Sequence, residues 1–387
     1  MRSSTWAPRL WMLPLVAFMV AATPSSMFSA SSGNSFEQVN LVSDLPGVAR
    51  FMDPDLVNPW GIAFSPTSPI WVSDNGQGLA TIYDGAGVKQ GLVVSIPAPG
   101  GGSGAPTGQV FNSSPVSTDF GGAHFLFSTE DGTIAAWSGG TTAALPVNNS
   151  GAGAVYKGLA LASNGGNEYL YATDFHNGKI DVFDNNFTPH SFGAGSFTDP
   201  SLPAGYAPFG IQASGGKIYV TFALQDPAKH DDVAGPGHGF LDVFNTDGTF
   251  VQRLVTMGAL NSPWAMALAP TAGFGKFSGD LLVGNFGDGT INAFDLTTGT
   301  QIGTLDGSNG MPLVNQGLWG LAFGNGAQGT SMNTLYFTAG IPGPGNIEDH
   351  GLFGSIVSTP EPGTISLLGT GLMSLIGYGW RRGKRSA

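Results

Sequence analysis

Pro59-Trp60-Gly61-Ile62-Ala63-Phe64 opens a pattern that recurs along the chain, and its reading decides the fold. The further copies are Pro106-Thr107-Gly108-Gln109-Val110-Phe111, Tyr156-Lys157-Gly158-Leu159-Ala160-Leu161, Pro208-Phe209-Gly210-Ile211-Gln212-Ala213, Pro263-Trp264-Ala265-Met266-Ala267-Leu268 and Leu318-Trp319-Gly320-Leu321-Ala322-Phe323. Aligned on Gly61, Gly108, Gly158, Gly210, Ala265 and Gly320, they are 47, 50, 52, 55 and 55 residues apart. A small residue inside a short apolar strand marks a place where backbones approach closely. Six copies at this period predict an all-β, six-bladed β-propeller, with the small residue on the innermost strand.

Around each copy the alternation of apolar and polar residues extends the blade. Second strands are expected at 70–73, 125–128, 169–173, 217–222, 280–283 and 334–338, and third strands at 80–83, 133–137, 179–183, 240–244, 290–294 and 352–357. Fourth strands are legible at 92–96, 250–255 and 301–305. The sixth repeat runs out before a fourth strand, while Phe36 to Leu41 is an unused strand-like segment ahead of the first blade. That segment is expected to close the ring as the outer strand of the last blade, which puts the propeller at residues 36–357.

Composition agrees with a strand-and-turn protein. Of 387 residues 61 are Gly, and only 10% are charged, which excludes a helical bundle and a charged disordered chain. The net charge is −12, and residues 31–359 hold 8 basic against 25 acidic residues, −17. Such a body repels nucleic acid and anionic lipid, so no nucleic-acid partner is expected. The chain has no Cys, which excludes disulfides, thiolate catalysis and Cys-ligated zinc.

The two ends carry different chemistry. Arg2 and Arg9, the apolar run 10–22 and the small polar residues after it have the layout of a secretory signal peptide, assigned to residues 1–30. At the far end Pro360-Glu361-Pro362 forms a rigid step. The 17 uncharged, mostly apolar residues 364–380 follow, and then Arg381, Arg382, Lys384 and Arg385. This span is just long enough for a transmembrane helix, and the basic cluster places its far side in the cytoplasm. Tripeptide, apolar span and Arg cluster together resemble the PEP-CTERM sorting signal, here residues 360–387. The resemblance implies a membrane-anchored precursor in a Gram-negative bacterium, an exosortase-type protease as partner and removal of the tail. It also implies release to the cell surface or to an extracellular polysaccharide matrix, which makes a polysaccharide a candidate partner.

With its repeat, the body resembles NHL-type six-bladed propellers and an uncharacterised bacterial group of propellers carrying the same tail. Fold follows from this much more firmly than activity. In such a ring the loops between second and third strands share one face with the starts of the first strands and converge on the channel. They carry Asp74, Asn75, Glu130, Asp131, Asn177, Asn285 and Asp288, and the strand starts add Asn58, Asn261 and Asn315. Candidate binding residues on this face are Asp174 and His176 in blade 3. Blade 4 adds Gln225, Asp226, His230, Asp231, Asp232 and His238, and blade 6 adds Glu348, Asp349 and His350. The blade-4 and blade-6 loops are longer than a hairpin needs and concentrate ionisable groups. Carboxylates, amides and imidazoles in one mouth suit Ca²⁺ or another divalent cation, with His230, Asp231, Asp232, Glu348, Asp349 and His350 as candidate ligands. The alternative is that Asp-Gly and Asn-Gly pairs serve only as turns.

No further catalytic signature is present. Gly-x-Ser-x-Gly, His-Glu-x-x-His and an EF-hand loop are missing, and Gly100-Gly101-Gly102-Ser103-Gly104 lacks the Lys and helix of a phosphate loop. Trp60, Phe209, Trp264 and Trp319 at the blade starts read as exposed, serving either to stack on a sugar ring or to pack between blades. Two functions stay open. One is a surface or matrix binding module. The other is a metal-dependent hydrolase resembling propeller lactonases, with His230 or His350 as general base.

Overall fold

The computed structural model describes residues 35–344 and 348–359. The expected signal peptide and the sorting motif with Pro360, Glu361, Pro362, Arg381, Arg382, Lys384 and Arg385 lie outside them. Among the described residues no helix is long and apolar enough to cross a membrane.

Six sheets form the body, antiparallel throughout except that the two-residue strand Phe51–Met52 pairs parallel with Phe36–Ser43 at the edge of the last one. Blade 1 runs Pro59–Ala63, Ile70–Asp74, Leu79–Tyr83 and Val94–Ser95, from the axis outward. Blades 2 to 5 repeat this order from inner strands Pro106–Phe111, Tyr156–Asn164, Tyr206–Ser214 and Pro263–Leu268. The fourth strands of blades 2 and 3, Ala144–Asn148 and Pro189–His190, had no legible pattern. The first is broken by Pro146 and largely solvent-facing, and the second is two residues long.

Blade 6 is completed by the chain's opposite end. Phe36–Ser43 pairs antiparallel with Leu352–Ser358, from Phe36 opposite Ser358 to Ser43 opposite Leu352. Phe36 is buried, with ring centroids 5.0 Å from Phe274 and 5.6 Å from Phe277. An apolar anchor of this size fixes the register of the closing strand. Beyond it, Thr359 N–H donates to Ser35 O at 2.9 Å, and the two hydroxyls lie 2.6 Å apart.

The aligned glycines have a steric reason. A Cβ on Gly210 would lie 1.9 Å from the Trp264 carbonyl oxygen, and one on Gly61 would lie 2.5 Å from that of Thr107. The inner strands of the blades other than blade 5 thus meet the backbone of the next blade where only hydrogen fits, and blade 5 has room for the methyl of Ala265. Second-strand hydroxyls bridge the same gap. Thr173 Oγ1 accepts from Gly158 N–H and donates to Phe209 O, both at 2.7 Å. The remaining core lies between neighbouring sheets, as in the packing of Trp71, Ile82, Phe125 and Phe127 between blades 1 and 2.

Candidate functional site at the channel mouth

The residue before each aligned small residue points at the axis or at the next blade. In blades 1, 4, 5 and 6 it is Trp60, Phe209, Trp264 and Trp319, all buried. Their exposure, expected from their position at the strand starts, is corrected by their meeting across the channel. Trp60 and Trp319 stack at 3.4 Å, and Trp264 stands edge-on to both at 5.7 Å. Phe286 stacks on Trp319 at 4.1 Å, and Phe209 lies 5.9 Å from it. Thr107 in blade 2 is too short to join this plug and donates to Tyr156 O at 2.8 Å.

Blade 3 places Lys157 at this position. Its side chain is 2% exposed, and Nζ lies 5.2 Å from the Trp60 ring centroid and 6.0 Å from that of Phe175. The ammonium donates to Glu130 and lies 3.4 Å from Asp231 Oδ1. Burial opposes the charge, but Glu130 and then Asp231 outweigh it and hold the pKa above the ordinary lysine value.

From Lys157 a polar chain runs around the mouth. Asn75 Nδ2 donates to Glu130 Oε2 at 2.9 Å. Asn58 Nδ2 reaches Asn75 Oδ1 at 3.3 Å and Glu348 Oε1 at 3.0 Å, and Asn58 Oδ1 accepts from Trp319 Nε1 at 3.1 Å. On the other side His230 Nδ1 lies 2.9 Å from Asp231 Oδ1. Burial pushes Glu348 up to about 7, with Glu130 and Asp231 adding to the rise while Asn58 and Lys157 oppose it. Asp232 is pushed up to about 6 by burial, against the lowering by Ser262 and Lys157.

Of the sequence-derived candidates, His230, Asp231 and Glu348 therefore gather around Lys157. The others have separate engagements. Asp174 accepts from Val155 N–H at 3.2 Å and from Asn177 Nδ2 at 2.8 Å, and burial raises its pKa. The half-buried His176 and its neighbour Phe175 accept through their carbonyls from Gln225 Nε2, at 3.4 and 2.5 Å. Asp226 Oδ1 shapes the blade-4 loop by accepting from His230 N–H at 2.8 Å. His238 Nδ1 lies 2.8 Å from Val233 O, and Asp349 packs beside Gly343. His350 Nδ1 lies 2.6 Å from Asp44 Oδ2, which ties the blade-6 loop to the closing strand.

Glu130, His230 and Asp231 offer one ligand atom each within 4.8 Å of one another, the set among the described residues that could hold a metal ion. Glu130 and Asp231 already face an ammonium, so a divalent cation would be set beside a like charge. Lys157 itself went unmarked as a site residue in the sequence. The signal was there: aligned with Trp60, Thr107, Phe209, Trp264 and Trp319, it is the one charged side chain.

Below the plug the channel widens into a cavity of about 450 Å³, lined by Ile62, Leu159, Ile211, Met266 and Leu321, with Trp264 at its wall.

Comparison with known proteins adds a family to this architecture. The chain is 36% identical over 331 residues to uncharacterized protein R648 of Acanthamoeba polyphaga mimivirus, spanning 82% of this chain and 78% of that protein. The chain belongs to the same family as this mimiviral protein. A second mimiviral relative, uncharacterized protein L690, is also 36% identical, over 82% of this chain and 84% of its own length. Residues 358–385 match the PEP-CTERM protein-sorting motif, which implies a secreted protein processed by an exosortase-type system. Among solved structures, the soluble aldose sugar dehydrogenase of Escherichia coli in its apo-form superposes with a TM-score of 0.51. It does so at 12% identity, over 84% of this chain and 100% of that one, a likeness of fold alone.

Proposed function

We propose that this protein is an exported propeller that binds its ligand at the channel mouth without turning it over. On this reading the leader at residues 1–30 directs export, the tail at 360–387 anchors a precursor in the membrane, and exosortase-type processing releases the propeller outside the cell. The observation that carries the binding site is Lys157. Burying an ammonium and the carboxylate facing it costs several kcal/mol before they attract each other. A Trp or Phe, as in blades 1, 4, 5 and 6, would fill the same position without that cost. Lys157 fixes Glu130 and Asp231 across the mouth and leaves Asp231 and His230 exposed, with side chains 67% and 47% accessible. A rim of carboxylates, amides and imidazole suits a ligand rich in hydroxyl or ammonium donors, and a hydroxyl-bearing polysaccharide falls in that class.

Isothermal titration with a glucosamine hexamer tests this reading. Binding that weakens at least tenfold in Asp231→Asn supports it. Failure of the unmodified protein to bind, or undiminished binding by the variant, overturns it.

The Glu130, His230 and Asp231 grouping supports a second reading, a metal-dependent hydrolase. Elemental analysis of the purified body separates the two: a stoichiometric divalent metal that is lost in His230→Ala favours hydrolysis, and metal-free protein favours binding.

A further inference from the structure

A second cavity, of about 480 Å³, opens between blades 1 and 2 and is lined by residues remote from the channel mouth. Ser68, Trp71, Gln90, Phe111, His124 and Trp137 line it, and no Asp, Glu, Lys or Arg does, in a chain of net charge −12. Its volume falls within the roughly 300–1,000 Å³ of small-molecule sites.

Its wall is an aromatic stack with a fixed orientation. Trp71 and Phe125 are buried and stacked at 4.2 Å, and Trp137 leans on Trp71 at 4.8 Å and 52°. Trp137 is only half-buried, and its Nε1 donates to Gly140 O at 2.9 Å. Its polar edge is therefore satisfied, so what it offers a ligand is ring surface. Polar groups stand at the rim. The His124 ring is 5.8 Å from that of Trp137, is exposed, and has no hydrogen bond to a described residue. Gln90 Nε2 donates to Val88 O at 2.9 Å, leaving Oε1 with no partner among the described residues.

This combination selects for a particular ligand chemistry. A lipid chain would cover the aromatic wall and leave the imidazole and amide unused. An ionic ligand would find no counter-charge. A neutral pyranose ring meets both demands, because its C–H face covers an aromatic surface while its equatorial hydroxyls require partners at the rim. We propose that the cleft between blades 1 and 2 binds a neutral saccharide, with a pyranose ring on Trp137 and its hydroxyls hydrogen-bonded to His124 and Gln90 Oε1. The proposal is independent of the channel mouth.

Titration of the full propeller with the neutral hexamers of glucose (β-1,4 and α-1,4 linked) and of N-acetylglucosamine, followed by calorimetry and Trp fluorescence, tests it. At least one hexamer should bind with a fluorescence change. Trp137→Ala should weaken that binding at least tenfold, and His124→Ala, an exposed change that spares the fold, about fivefold. Absence of binding by all three hexamers, or binding that survives His124→Ala and Gln90→Ala undiminished, overturns the proposal. So does loss of binding in Asp231→Asn, which would assign the saccharide to the channel mouth.

Discussion

Thr338 Oγ1 donates to the carbonyl of Trp60 at 2.5 Å while accepting from Gly320 N–H at 2.8 Å, so a single hydroxyl joins the last blade to the first. Thr173 makes the same two bonds between blades 3 and 4. Thr338→Val keeps the shape and leaves a buried donor and a buried acceptor unpaired, at about 1–3 kcal/mol for each group. Urea unfolding should show a loss of roughly 2–6 kcal/mol, with a similar loss for Thr173→Val. A variant within 0.5 kcal/mol of the parent, on the order of experimental scatter, would show that neither bond matters.

Ring closure depends on Phe36 in a comparable way. Its ring fills a pocket made by Phe274 and Phe277 and is 2% exposed. Truncation leaves a cavity, and Phe36→Ala should cost about 3–5 kcal/mol. Removal of residues 35–44 should destabilise the body further, because it strips the outer strand from blade 6 and takes with it Asp44, the partner of His350. Thermal unfolding checks both, and an unchanged midpoint would mean that the ring holds without this strand.

The architecture was legible in the sequence because its main constraint is steric. Close backbone approach at Gly61, Gly108, Gly158, Gly210 and Gly320 admits only the smallest side chain, so the residue type itself records the geometry. The closing strand was legible because a blade without a fourth strand and a strand without a blade stood at opposite ends of one chain. The plug was not. Trp60, Trp264 and Trp319 look like solvent-facing strand starts one blade at a time, and only their convergence on the axis buries them. Lys157 was hidden for the same reason, since it sits inside a strand pattern while its partners Glu130 and Asp231 come from two other blades. His230 and His350, grouped by loop length and composition, face different neighbours, because composition carries no direction.

Asp74 yields a prediction about pH. It is fully buried beside Thr81. Burial, with Asp53 adding like charge, pushes its pKa well above the ordinary carboxylate range. The folded state therefore holds a proton that the unfolded state releases near pH 4. Below that pH Asp74 adds no pH-dependent penalty, and the penalty grows as pH rises towards the folded pKa. Asp74→Asn should accordingly raise stability at pH 8 and have much less effect at pH 4, measured by urea unfolding at both. A larger gain at pH 4 would contradict a buried neutral acid.

The Lys157 cluster predicts the opposite kind of pH dependence for its variants. Lys157→Met removes the cation and leaves Glu130 and Asp231 facing each other and Glu348 across the plug. Breaking one side of a buried pair costs about 3–5 kcal/mol; since Asp231 is largely exposed, about 2–4 kcal/mol is expected at pH 8. Without the ammonium, Glu348 rises further from its already raised value of about 7, and Asp231 loses the charge that holds it below the ordinary carboxylate range. The deficit should then shrink as pH falls from 8 to 5 and those groups take up protons. Lys157→Met combined with Glu130→Gln removes charge from both sides, so it should recover most of the loss at pH 8 while still failing to bind the glucosamine hexamer. Equal instability of the single variant at pH 8 and pH 5 would show that Lys157 acts through its packing on Trp60 and Phe175, and that its charge is incidental to the fold.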